Sequence, residues 1–248
     1  MSLPAFILDN ARPDYKPGET ITLSGAEGRH AVTVKRLTVG ERLQLITDCA
    51  VVYEATITAT AGKDTLQATI DSAQPVTRPT PEVVLIQALP KSERSELTID
   101  LATQGGVDAI VPWAAERCIA KWVGNKATKG RAKWQAAAHA AAKQSRRTTI
   151  PPIAELATSI DEALVAAGQL DALLVLDEDA AKPFRDIDLS HAQRVGLVIG
   201  PEGGLTEAEV AQFSAHGGQA VLLGPEVLRT ATAGLVALAA IGATTTRW

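Results

Sequence analysis

Cysteine is nearly absent: Cys49 and Cys118 are the whole complement of a 248-residue chain. Two thiols cannot build a disulfide framework or a cysteine-based metal cluster, so no metal is expected and both side chains are assigned to packing. Aromatic residues are scarce too, at 4% against 46% hydrophobic overall, which predicts a core of Ala, Val and Leu. No uncharged apolar run reaches the roughly 20 residues of a membrane-spanning helix. The opening residues MSLPAFILDNARPDYK lack the basic stretch and apolar core of a cleavable secretory signal. A soluble cytoplasmic protein follows, with one large domain or, more usually at this length, two.

The usual phosphate cradles are also missing. There is no G-x-x-x-x-G-K-[ST] pattern, and residues 200–204 lack the G-x-G-x-x-G spacing that seats a pyrophosphate on a helix N-terminus. What stands there instead is a pair of glycine-proline loops, Gly200, Pro201, Glu202, Gly203, Gly204 and then Leu223, Gly224, Pro225. Each follows a strand-like run (195–199, 220–223) and precedes a helix-like one, which puts both at the carboxyl edge of a parallel sheet, where α/β proteins bind ligands. Glycines at 200, 203 and 204 are expected to permit positive φ and close approach of the backbone. Thr206 has the position of a helix N-cap, with Glu209 completing a capping box. The run 231–240 is almost wholly apolar, so that helix must be buried on nearly all sides by its own domain or by a second subunit.

Acidic residues are missing from one long stretch. None occurs between Glu116 and Glu155, while Arg117, Lys121, Lys126, Lys129, Arg131, Lys133, Lys143, Arg146 and Arg147 all do. The net charge of -4 hides a one-signed field that attracts polyanions. If 131–145 is helical, Arg131, Gln135, His139 and Lys143 form an i, i+4 stripe whose like charges repel unless an anion answers them. The stripe is either a solvated face or a phosphate-backbone surface, and the unbroken sign favours phosphate.

Residues 1–75 contain short alternating segments (31–34, 42–46, 51–58, 65–70) separated by turn signals, which predict a small β-barrel. A proline-rich linker is expected over 74–81. Beyond it, strand and helix alternate: strand 83–89, helix 92–104 stopped by two glycines, strand 107–111, an alanine-rich helix, strand 172–176 and the two loop units. Such alternation means a parallel sheet covered by helices.

The runs LVIGPEGGLTEAEV (197–210) and LLGPEVLRTATA (222–233) closely resemble the RsmE family of 16S ribosomal RNA uridine N3-methyltransferases, in the SPOUT superfamily. RHAVTVKRLTVGERL (29–43), ALPKSERSELTIDLATQGGVDAIVPWAAERC (88–118) and AAKQSRRTTIPPI (141–153) extend the similarity over nearly the whole chain. The resemblance implies a PUA-like RNA-gripping barrel (1–75) and an α/β methyltransferase domain (76–248) whose final segments form a deep trefoil knot. It implies S-adenosylmethionine held among three loops, which assigns Leu176, Ile199, Gly200, Pro201, Glu202, Gly203, Gly204, Leu222, Leu223, Gly224, Val227 and Leu228 to the cofactor. A homodimer with the knot in its interface is implied as well. The implied substrate is a uridine in the decoding region of 16S rRNA, within the 30S subunit. Candidate RNA contacts are His30, Lys35 and Arg36 on the barrel, then Arg117, Lys121, Arg131, His139, Lys143, Arg146 and Arg147.

Uridine N3 carries a proton at neutral pH and attacks a methyl group only when that proton leaves, so the site needs a base or a cation that stabilises the anion. Arg229 is the first candidate for orienting the base and stabilising that charge, the alternative being a structural ion pair. Glu202 either meets the cofactor, accepts a proton or binds backbone N–H groups. Asp177, Glu178 and Asp179 either meet the cofactor or form a solvated loop. Trp113, Trp122 and Trp134 either stack on bases or pack. Many relatives have Glu in R-T-E-T-A and in E-Q-S/C-G-R, where this chain has Ala231 and Lys143. The expectation is that these glutamates are structural or paired, so that restoring one alone does not raise the methylation rate. Two competing functions are a SPOUT ribose 2′-O-methyltransferase and an inactive RNA-binding homologue.

Overall fold

A computed structural model describes residues 3–8, 11–47 and 51–248; Cys49 lies outside the described residues. The chain forms two compact units, Met1–Thr77 with Ala142–Ile150, and Arg78–Ala141 with Pro151–Trp248. Residues 142–150, expected in the second domain, therefore group with the first.

The first unit is a five-stranded sheet of β1 (Ala5–Ile7), β2 (Thr20–Leu23), β3 (Arg42–Ile46), β4 (Val51–Ala61) and β5 (Thr65–Pro75), in the order β1-β3-β4-β5-β2. β1 runs parallel to β3 and the other pairs are antiparallel. Alternation puts Tyr53, Ala55 and Ile57 of β4 and Leu66, Ala68 and Ile70 of β5 into one core, as a half-buried sheet requires. The segment 31–34 is not the expected strand. It continues α1 (Gly25–Arg29) as a π-helical turn, His30–Val34. Its β-branched residues favour a strand, yet only Ala31 is fully buried while Thr33 and Val34 face outward. Tertiary context overrides the propensity. Gly28 lets α1 lie against the sheet, since a Cβ there would sit 2.0 Å from the Asp64 carbonyl oxygen.

The second unit holds β6 (Glu82–Ala88), β7 (Ala109–Trp113), β8 (Ala172–Leu176), β9 (Arg194–Ile199) and β10 (Gly218–Val221), all parallel, in the order β10-β8-β9-β6-β7. β6 and β9 are buried along nearly their whole length, the mark of strands covered on both faces. The helices are α2 (Ser95–Gln104), α3 (Asn125–Gln144, whose last residues belong to the first unit), α4 (Ile160–Ala167), α5 (Glu207–Ala215) and α6 (Thr230–Thr244). α2 packs against α6, and α4 against α5. α4, absent from the sequence reading, starts at Ser159, whose hydroxyl accepts the Glu162 N–H.

The chain end is anchored by a buried ion pair. Arg247 donates to Asp108 Oδ2 at 2.9 Å and to the Pro81 carbonyl at 2.6 Å, and the Asp108 carboxylate also accepts the Val83 N–H at 2.8 Å. This ties the end of α6 to the starts of β6 and β7. Among the described residues, no helix is long and apolar enough to cross a membrane.

Candidate active site

Three loops leave the carboxyl ends of β8, β9 and β10 and line one cleft of about 430 Å³. All twelve residues assigned to the cofactor lie around it, as do Arg229 and Arg117. In the loop after β9, Gly204 takes φ +71° and donates its N–H to the Pro201 carbonyl at 2.9 Å. Gly200 and Gly203 do not take the expected positive φ. They are small because neighbours are close: a Cβ on Gly203 would lie 3.3 Å from Arg117 Cβ, and one on Gly200 3.1 Å from Leu205. The capping box of α5 is complete, with Thr206 accepting the Glu209 N–H and Glu209 accepting the Thr206 N–H. The other Glu209 oxygen accepts the Glu116 N–H at 2.8 Å, which binds the loop to the segment after β7.

The loop after β10 is held at its start by the chain that follows β8. Asp177 N–H meets the Val221 carbonyl, Leu222 N–H meets the Lys182 carbonyl at 2.9 Å, and Phe184 N–H meets the Leu222 carbonyl at 2.8 Å. From Leu223 to Leu228 no backbone group makes a hydrogen bond among the described residues. Buried N–H and C=O groups are seldom left without partners, whereas these, exposed over 225–228, are open to solvent or to a ligand. Six successive residues with open groups beside a cleft form a surface able to read the edge of a flat polar ligand. Val227 and Leu228 add exposed apolar area there, 76% and 36% exposed respectively.

Charge in the cleft is mainly negative, with Asp177, Glu178, Asp179, Glu202 and Glu226 against Arg117 and Arg229. Asp177 accepts the Asp179 N–H and so turns its own loop. Glu202 accepts the Lys91 N–H through both oxygens, at 3.0 and 3.3 Å, the backbone-binding alternative for that residue. Arg117, a candidate RNA contact, donates to the Gly203 and Leu205 carbonyls at 3.0 and 3.2 Å. No local pattern announces this, because its partners lie 86 and 88 residues further along. Arg229 precedes α6 and is exposed, and its guanidinium forms no ion pair among the described residues. Thr230, not picked out from sequence, joins two loops by donating to the Gly200 carbonyl at 3.2 Å. Ala231 is buried.

The other sequence candidates divide between the units. Lys121 is exposed and His139 half-buried in the second unit. The stripe of unanswered charge on α3 is corrected: Arg131 is paired with Glu155 and donates to the Ile153 carbonyl, and Lys143 lies 2.6 Å from Glu27. Carboxylates remote in sequence answer both cations. In the first unit Lys35, Arg36 and Arg146 are exposed, and Arg147 donates to Thr149. His30 is half-buried, edge-on to Phe6; burial first and then the Lys143 charge push its pKa down. Trp113 and Trp134 are core residues, and Trp122 packs edge-on against Trp134. Cys118 is buried, which pushes its thiol pKa up.

Comparison with known proteins matches residues 77–242 to an RNA methyltransferase domain and 23–71 to an RNA methyltransferase PUA domain. The chain is 43% identical to ribosomal RNA small subunit methyltransferase E of Mycobacterium bovis, over 93% of this chain and 89% of that one. It is 31% identical to the same enzyme of Bacillus subtilis, over 95% and 94%. Among solved structures, the Neisseria gonorrhoeae ribosomal RNA small subunit methyltransferase E bound to S-adenosyl methionine is 30% identical, with 98% of each chain covered and a TM-score of 0.83. A Legionella pneumophila structure with bound cofactor SAM is 30% identical, with 99% of each chain covered and a TM-score of 0.85. The chain belongs to the ribosomal RNA small subunit methyltransferase E family of RNA methyltransferases.

Proposed function

We propose that this chain methylates N3 of a uridine in the decoding region of 16S rRNA, using S-adenosylmethionine and acting on the 30S subunit. The observation that carries the reading is the cleft itself: a run of open backbone groups over 223–228 beside an acidic wall and one uncommitted arginine. An adenine edge suits the open backbone, and a sulfonium cation suits an acidic surplus. When bound, S-adenosylmethionine supplies an electrophilic methyl group. The chain's own residues then orient the nucleophile and hold charge. Arg229 faces the uridine carbonyl oxygens and stabilises the negative charge that grows there as the N3 proton passes to solvent water. Glu202 and Arg117 act on the loop, one by accepting the Lys91 N–H and the other by donating to the Gly203 and Leu205 carbonyls.

The trefoil knot belongs to the same reading. It is supported by the return of the chain from the β10 edge to α6, where Gly234 lies near Leu85 of β6, and by the parallel pairing of residues 182–184 with Leu222. Closure of the first unit as a PUA-like barrel rests on the matched PUA domain. A homodimer is supported by an apolar stripe left open on α6, with Val236 40% exposed. The test is nucleoside mass spectrometry of 16S rRNA from unmodified 30S subunits incubated with the protein and S-adenosylmethionine. Appearance of 3-methyluridine is expected; a 2′-O-methylated nucleoside or no product overturns the reading.

A further inference from the structure

The charges that line the cleft are not spent alike. Of its five carboxylates, Asp177 accepts the Asp179 N–H and Glu202 accepts the Lys91 N–H. The side chains of Glu178, Asp179 and Glu226 make no hydrogen bond or ion pair among the described residues, and all three residues are exposed. Of the two guanidiniums, Arg117 is held by the Gly203 and Leu205 carbonyls. Glu178 and Asp179 follow β8, whereas Glu226 lies in the loop after β10, so two loops remote in sequence bring uncommitted carboxylates to the rim of one space. Like charges gathered in this way repel one another. A cation bound among them relieves that repulsion, and a neutral ligand of the same shape does not.

The proposed reaction changes the charge of the cofactor. A bond forms between the methyl carbon and N3 of the uridine, the carbon–sulfur bond breaks with its electron pair left on sulfur, and the N3 proton passes to solvent water. A sulfonium cation thus becomes the neutral thioether of S-adenosylhomocysteine. We propose that Glu178, Asp179 and Glu226 are the residues by which the cleft distinguishes the two, holding S-adenosylmethionine for its positive sulfur and releasing S-adenosylhomocysteine once that charge is gone. This rests on the reading of the cleft as the cofactor site of an N3-methyltransferase. One charge pair at about 4 Å changes affinity roughly fivefold even in bulk water, and exposed carboxylates are sensitive to salt. The plainer account is a solvated acidic rim that treats both ligands alike.

The experiment is calorimetric titration of the full-length protein with S-adenosylmethionine, with S-adenosylhomocysteine, and with an analogue that carries a protonated amine in place of the methylsulfonium. At low ionic strength both cationic ligands are expected to bind about 5–10-fold more tightly than S-adenosylhomocysteine, and the ratio is expected to shrink as salt is raised. Glu178→Gln, Asp179→Asn and Glu226→Gln should each weaken the cationic ligands about 2–3-fold and S-adenosylhomocysteine far less. The triple variant should bind all three ligands about equally, with a thermal midpoint no lower than that of the wild type, since it removes like-charge repulsion. Three results overturn the proposal: wild type that binds S-adenosylhomocysteine as tightly as S-adenosylmethionine, an amine analogue that binds no better than S-adenosylhomocysteine, or single variants that weaken every ligand equally. A protein that discriminates through these carboxylates yet forms no 3-methyluridine leaves the proposal standing and overturns the proposed reaction. One that forms 3-methyluridine while binding both cofactor forms alike overturns the proposal alone.

Discussion

At the scale of single residues, the site turns on which charges have internal partners. Arg229 has no ion pair among the described residues at the cleft, so its guanidinium is available to a developing anion. Arg229→Ala is expected to lower the methylation kcat by about 10²–10³-fold with little change in S-adenosylmethionine affinity, as single-turnover kinetics and calorimetry will show. Lys143 differs: with Glu27 2.6 Å away and both side chains 21% exposed, Lys143→Glu sets two carboxylates against each other. The expected cost is roughly 2–3 kcal/mol in denaturant unfolding, with no gain in methylation rate. His30 sets a pH dependence. Its pKa is lowered by burial and then by Lys143, against the opposing pull of Glu27. The unfolded chain therefore takes up a proton near pH 6.5 while the folded one does so only at lower pH. Stability is expected to fall as pH drops below about 6.5 and to level off once the folded form protonates too. Denaturant midpoints measured from pH 7.5 downward check this, and His30→Gln should remove that part of the slope.

At the scale of elements, the long parallel strands and the capping box were legible because their signals are local. β8 has the expected bounds, 172–176, and Thr206 and Glu209 carry their own helix start. The π-helical turn at His30–Val34 was not legible, since β-branched residues point to a strand and only packing reverses that preference. β1, three residues long, was also missed, because its hydrogen-bond partner β3 begins 35 residues after β1 ends. Glu209 shows how an element reaches beyond itself. Its carboxylate caps α5 and also holds the segment after β7 through the Glu116 N–H. Glu209→Ala is expected to cost about 1–2 kcal/mol and to weaken S-adenosylmethionine binding, because the loop that lines the cleft loses its hold on residue 116. Thermal melts with and without cofactor separate the two effects.

At the scale of the whole molecule, the end of the chain holds the second unit together. Arg247 and Asp108 have side chains only 2% and 4% exposed, and removing one partner leaves a buried charge without its counterion. Arg247→Ala is expected to destabilise the protein by about 3–5 kcal/mol, read as a lower urea midpoint with an unchanged slope.

The sequence alone determined the family, the parallel sheet and the two loops of the cleft, because glycine, proline and capping residues act on their nearest neighbours. It also marked the basic window, a property of composition. Only the tertiary structure decided how those charges are spent. It paired Arg131 with Glu155 and Lys143 with Glu27, turned Arg117 onto the Gly203 and Leu205 carbonyls, and left Arg229 without an ion pair among the described residues. It also held Arg36 and Arg146 in left-handed backbone. Pairing depends on distance in space between residues far apart in sequence, and no local pattern encodes that distance.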